Sequence, residues 1–535
     1  MPFTSRAQEF ITFAAEHSRP DGDFDELPKV STDKLSSSIA RLYEQLRNTV
    51  DSTEQHLLRR NAIHRFLRRH LIIYRTSTQE LGELLIRELI RAGYISNNSF
   101  LERDVPKVEH VIQKYRRICE ELQARQPGSS VNTTWTWGLG LASAEIEQII
   151  YDPIREEALI QFAFEEFKAR IKWEDLAFAP AERELQLYIA LHRAVFKSDT
   201  RLVEFHLLTS YLPGWNQKGP GEAAQLAQHL LEYRDRIRQQ LDHPYAGQLA
   251  SKVRRMTIPY QVLLDMIKEY AAKHDSADTL KHLDEQPSFI RDALSVIERY
   301  YKQNKKTVRR RTVRSILFIF ITKMLVALAL EIPYDLWIKD EIQYLPLGIN
   351  VLFHPTLLFV LGTFVRFPGK ENSKRIVSDL WATVSDAKRP PNYYLRFLSR
   401  RNATTRVVLS TLSLLTFAIT FGLLVWALHA LHFTLMAGVL FLFFLSLVTF
   451  VGIRLRIRAG EYFMVRKNDT FLGTLGLFLA NPMIELGRWV STNFRRYNLF
   501  LFFFDIILEA PLKAFTYAIE EWFSFARERS ERIIE

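Results

Sequence analysis

Residues 302–330 read KQNKKTVRRRTVRSILFIFITKMLVALAL. Seven bases, Lys302, Lys305, Lys306, Arg309, Arg310, Arg311 and Arg314, lead into sixteen mostly apolar residues. Neither Gly nor Pro occurs between Ser288 and Ile332, so one helix can leave a water-soluble part and enter a bilayer without a break. Lys and Arg accumulate on the cytoplasmic side of a span. The collar therefore orients everything around it: a cytosolic N-terminal part, then a membrane part.

Downstream, the first apolar stretch covers 315–330, roughly 24 Å at about 1.5 Å per residue, short of a core about 30 Å thick. The segment after it, EIPYDLWIKDEIQY, carries four acids and one base and suits an external loop. A second apolar run, 345–365, contains Gly348, Asn350, His354, Pro355 and Gly362, and reads either as a kinked span or as a re-entrant hairpin. From Arg366 to Arg406 there are ten Lys or Arg and three acids. A hairpin would leave that charge outside, so the run is expected to cross. Residues 407–453 hold no Lys, Arg, Asp or Glu. They accommodate two spans, 407–428 and 433–453, with a turn near His429–His432. Arg454, Arg456 and Arg458 then return the chain to the cytosol. Four spans with both termini cytoplasmic result.

Two runs near ten residues, 471–480 and 499–508, are too short to cross alone. With an amphipathic tail they read as helices on the inner leaflet or docked on the soluble part. The expected fold is all-α: a cytosolic helical domain over 1–300, a transmembrane bundle over 301–458 and interfacial helices over 459–535.

Upstream, the pattern is helical throughout. Ile63, Phe66, Leu67, His70, Leu71 and Tyr74 share one face, with Arg65, Arg68 and Arg69 opposite. No alternating strand pattern stands out. QPGSSVNTTWTWGLGLAS (126–143) reads as a break between helices; its Trp135 and Trp137 suit an anchor for a partner or the membrane surface, or a plug buried under a loop. The N-terminal residues lack the basic and apolar regions of a secretory signal.

Candidates for chemistry are few. Lys323 lies in the middle of the first span, and an intramembrane cation is a functional candidate by default, against the alternative that it snorkels or pairs inside the bundle. Asn350 and His354 line a polar path or satisfy backbone groups freed by Pro355. His56, His64 and His70 are spaced wrongly for a shared metal. Gly138-Leu-Gly140 lacks the strand and third glycine of a dinucleotide loop. With no nucleophile, metal or phosphate motif, neither catalytic residues nor a cofactor are expected. The net charge of +11 sits largely beside apolar runs, pointing to anionic lipid headgroups rather than nucleic acid.

The segments DSTEQHLLRRNAIHRFLRR (51–69), LIRELIRAGYISNN (85–98), LYIALHRAVFKSDT (187–200) and TKMLVALALEIPYD (322–335) resemble parts of uncharacterised membrane proteins of small-genome candidate-phylum bacteria. That resemblance implies a bacterial inner-membrane protein and brings no activity or site with it. The function expected is a membrane-anchored scaffold or interaction protein with a protein partner on the cytosolic helices, or alternatively a small-solute or ion transporter or channel subunit, with homo-oligomerisation open.

Overall fold

The structure is a computed structural model and describes residues 3–18, 27–32, 55–75, 80–125, 131–174, 177–197, 200–339, 344–385, 392–397, 403–464 and 471–497. The 499–508 run, the C-terminal tail and His56's side chain lie outside the described residues. The fold is helical, with one pair of three-residue strands among the described residues, Ile171–Trp173 parallel to Tyr393–Leu395. Such strands are too short for an alternating pattern to register. The chain divides into two compact units. Among the described residues, one comprises those up to Gln286 with those of 382–397, the other those of 287–381 with 403–497.

In the first unit the predicted face of helix Gln55–Arg68 and its π-turn Arg69–Ile73 is buried at Ile63, Phe66, Leu67 and Leu71, whereas Tyr74 is exposed. Helix Leu81–Arg91 ends in a left-handed Gly93, whose N–H and that of Tyr94 take up the last carbonyls. From Val131 onward the stretch read as a break is instead helix, Val131–Ile150. Its glycines decide this: a Cβ on Gly138 would sit 2.4 Å from the Sγ of buried Cys119. Gly138 is a site of close approach to helix Val105–Arg125 and Gly140 one to the Arg201 side chain of helix Thr200–Tyr211; neither is a breaker. Trp137 is buried beneath the Arg234 guanidinium, 5.3 Å from its ring centroid. It is therefore core, neither a membrane anchor nor a loop plug.

The residues returning to this unit from far downstream are held by Arg170. It donates to the Tyr260 hydroxyl (3.3 Å) and the Thr383 hydroxyl (2.9 Å) and lies over the Tyr393 ring. No sequence pattern announces this contact.

Helices Pro180–Val195 and Thr200–Tyr211 bury His192 and His206, ring centroids 4.3 Å apart. Burial and the facing His206 hold His192 well below the ordinary histidine value. Burial and nearby Arg60 lower His206 to about 4. Both rings are neutral in the folded unit at neutral pH. Once unfolded, a histidine titrates near 6.5. As pH falls from there toward 4 the unfolded chain takes up protons that the folded chain refuses, so stability declines across that window, by about 3 kcal/mol for His206 alone. Thermal melts should show that slope, and His206→Gln should flatten it. An equal slope in the variant would remove His206 as the cause.

The second unit contains four helical segments long and apolar enough to cross a membrane: Gln286–Ile338, Tyr344–Thr363, Val407–Ala430 and Leu435–Ala459. They are called the first to fourth spans below. The first differs from expectation. The helix does not stop at Leu330 but runs through a π-turn, Ala327–Glu331, into Ile332–Lys339. Glu331 and Asp335, assigned to an external loop from the sequence, are buried. The 345–365 run is a single helix with Pro355 inside, not a re-entrant hairpin. The third and fourth spans form the expected hairpin, turning at Leu431–Thr434 with His432 at φ 57°.

Close packing uses small residues, as apolar helices in lipid do. A Cβ on Gly362 would meet Thr312 at 2.4 Å, and one on Gly452 would meet Leu361 at 2.7 Å. The basic segments gather at that end of the unit. Asn304 donates to the Arg458 and Ala459 carbonyls, and Asn372 to the Tyr301 hydroxyl and Tyr462 carbonyl. The 471–480 run is part of a longer helix, Phe471–Tyr497, which packs on the third and fourth spans.

Candidate functional site

The face that the first span turns toward the second and fourth holds Lys323, Glu331 and Asp335, all at most 2% exposed. In a regular helix at 3.6 residues per turn, Asp335 would lie about 120° round from Lys323. The π-turn takes more residues per turn and reduces that offset, which is how such turns commonly aim side chains at a site. The second span contributes Asn350 and His354, both fully buried. The fourth contributes the Ala437 and Phe441 carbonyls and Thr434 near its start.

Asn350 Nδ2 donates to both carboxylate oxygens of Glu331 at 2.8 Å and approaches the Ala437 carbonyl at 3.3 Å. His354 sets Nδ1 3.0 Å from the Asn350 carbonyl and Nε2 3.0 Å from the Phe441 carbonyl. Thr434 donates to Asp335 at 3.0 Å. Lys323 Nζ stands over the Phe444 ring, 4.5 Å from its centroid, and finds no hydrogen-bond partner among the described residues; nor does Asn350 Oδ1.

The structure thus links Asn350 and His354 directly, through the Asn350 carbonyl. Lys323 lies on the same face, over a ring that also neighbours His354 at 6.0 Å. The two polar residues do not serve the carbonyl freed by Pro355. They reach across to other helices, which the sequence reading did not foresee. It also missed Glu331 and Asp335, because the count of apolar residues ended the span before them. The available signal was their spacing: Glu331 is eight residues after Lys323, and Asp335 four after Glu331. The collar bases Lys302, Lys305, Lys306, Arg309, Arg310 and Arg314 are exposed, at the end opposite Asp335 along the same helical segment.

The first unit has its own buried ion pair. Lys114 is bonded to Glu145 and to the Trp215 carbonyl, and Trp215 Nε1 donates to the Tyr115 hydroxyl and to Glu145. Burial pushes the Lys114 amine down and Glu145 pulls it back up. Every polar end in this network finds a partner, the mark of a packing element. Beside it an open cleft of about 610 Å³ is lined by Lys107, His110, Gln148, Asp152, Glu157 and Asn216, among others. Burial, then Asp152, raises the Glu157 carboxyl.

What fold and site define is a helical protein with four helices suited to a bilayer, three of which enclose a chain of ionisable and amide groups. Searches of family models, curated proteins and solved structures found no match to this chain.

Proposed function

We propose that this is an integral membrane protein of the transporter or channel class, which handles a small charged solute through the polar chain between its first, second and fourth spans. One observation carries this reading: Lys323 Nζ is fully buried without a hydrogen-bond partner among the described residues, on the face that also carries Glu331 and Asp335. Ionisable groups at membrane depth are costly and mark ion or proton pathways. A purely structural amide or hydroxyl contact would need neither a lysine nor two carboxylates. The converging collar supports a cytoplasmic face at that end, held by anionic headgroups at about 1 kcal/mol per base. The resemblance noted above supports a bacterial inner membrane. Homo-oligomerisation belongs to this proposal too, since four spans enclose little room for a pore.

The test is ion flux. Full-length protein in liposomes should relax an imposed pH or cation gradient faster than empty vesicles do. Lys323→Met and Glu331→Gln should each abolish the excess without preventing insertion. A rate equal to that of empty vesicles would defeat the proposal.

A second reading is favoured by the cleft on the first unit, whose volume is in the range of ligand sites. In it the protein is a membrane-anchored scaffold holding a partner on its helical unit. A flux-free protein that captures a partner through that cleft, with capture lost in His110→Ala, would establish it.

A further inference from the structure

We infer that the polar chain is a one-sided proton site, reached from the face opposite the basic collar and sealed toward the collar. This deepens the charge-handling reading and rests on it for purpose, although its geometry stands alone.

The close approaches Thr312–Gly362 and Leu361–Gly452 mark one level near the collar. At about 1.5 Å per residue, Val448 and Leu358 lie roughly 6 Å deeper than that level, and Ile319 and Phe444 roughly 10–12 Å. All four are buried together in one apolar cluster. The polar groups follow. His354 is roughly 12 Å from the level, Lys323 roughly 16 Å, Asn350 roughly 18 Å, and Thr434, on Asp335, roughly 27 Å, at the turn between the third and fourth spans. From His354 outward each step is polar. From His354 toward the collar the cluster is apolar. An ion that reaches the site has a hydrogen-bonding route on one side only.

The chemistry favours a proton. The other titratable groups of the polar chain are Lys323, Glu331 and Asp335 from the first span, Lys323 being the one near His354. The second adds no other, and the fourth has no ionisable side chain between residues 435 and 453. In their ordinary states these three sum to one negative charge, unfavourable away from water. Both ring nitrogens of His354 point at carbonyl oxygens, which only accept. A neutral imidazole has one N–H and can satisfy one of them; an imidazolium satisfies both. One proton taken from hydronium, leaving water, forms the second N–H bond and brings the cluster to neutrality.

Access is tested without any flux. Cys119 is buried, so introduced thiols report alone. In closed vesicles of full-length protein, a membrane-impermeant thiol reagent should reach Ala437→Cys only from the side from which it fails to reach Lys306→Cys. Val448→Cys should be protected from both sides. Labelling of Ala437→Cys from the collar side, or from neither, overturns one-sided access. Proton uptake is tested by acidifying the detergent-solubilised chain in sodium- and potassium-free buffer with a pH indicator. The wild type should bind one proton more than His354→Gln. Equal uptake, or uptake displaced by sodium ions, overturns the proton assignment. If both tests succeed and the flux measurement above fails, the site stands and transport falls.

Discussion

Replacing Glu145 with Ala should destabilise the helical unit by about 3–5 kcal/mol, the cost of leaving one member of a buried ion pair without its partner. Lys114 is fully buried, and its remaining contacts would be the Trp215 carbonyl at 3.3 Å and the faces of Tyr115 and Trp215. Burial already lowers the amine, so without the carboxylate Lys114 deprotonates or the surrounding helices open. The loss would appear as a drop in melting temperature on the order of 10 °C in a unit of this size, followed by tryptophan fluorescence of the full chain in detergent. The double variant Lys114→Met with Glu145→Leu should recover most of it, because a packed apolar pair replaces a buried ion pair at little cost, while Trp215 Nε1 keeps the Tyr115 hydroxyl. A shift within about 0.5 kcal/mol for Glu145→Ala alone would put the pair in the class of surface substitutions and refute the network's role.

Lys114 and Glu145 also show how far the sequence could be read. Lys114 lies on an amphipathic helix that periodicity identifies, and nothing local distinguishes it from its exposed neighbours. Its partner Glu145 sits on Val131–Ile150, a helix whose part up to Ser143 reads as a break because of its glycine and serine content. Periodicity reports which residues share a face; it does not report which glycine is required because another helix lies against it, as Gly138 is by Cys119.

The membrane part was more legible, since length and charge of an apolar run carry most of the information there. The hairpin turn, the second span and the converging basic segments all follow from counting. Counting failed where helix and apolarity part company. The first span goes on through Glu331 and Asp335 because those carboxylates are satisfied by Asn350 and Thr434, partners 19 and 99 residues away. Lys323, Asn350 and His354 were visible singly, as polar letters in apolar words. Their assembly into one chain depends on the π-turn and on two neighbouring helices, which are tertiary facts.

Gly487→Leu should detach helix Phe471–Tyr497 from the spans it lies along. A Cβ at Gly487 would fall 2.2 Å from the Ser446 carbonyl oxygen and 2.7 Å from Phe450 Cβ. The nearer obstacle is backbone in the middle of the fourth span, which cannot swing aside as a side-chain tip can. Small residues at such crossings let apolar helices approach closely enough for dispersion to hold them, since lipid supplies no hydrophobic drive between them. Overpacking costs about 1–3 kcal/mol where side chains can yield and more where they cannot, so the helix should separate rather than compress. Met483, buried four residues before Gly487, would lose its cluster with Leu428, Phe441 and Leu445, and the Thr420 bond to the Leu479 carbonyl would break. Gly476→Leu is the matched control: it lies in the same helix with nothing within 4 Å of its added Cβ, so the intrinsic helix-propensity change is shared and the crossing is not. The measurement is trypsin cleavage after the exposed Arg488, with the melting temperature of the detergent-solubilised chain. Gly487→Leu should be cut faster and melt lower, and Gly476→Leu should match the wild type. Identical behaviour of the two variants would mean that the helix is not seated on the fourth span and that the charge at Arg488 holds it at the surface instead.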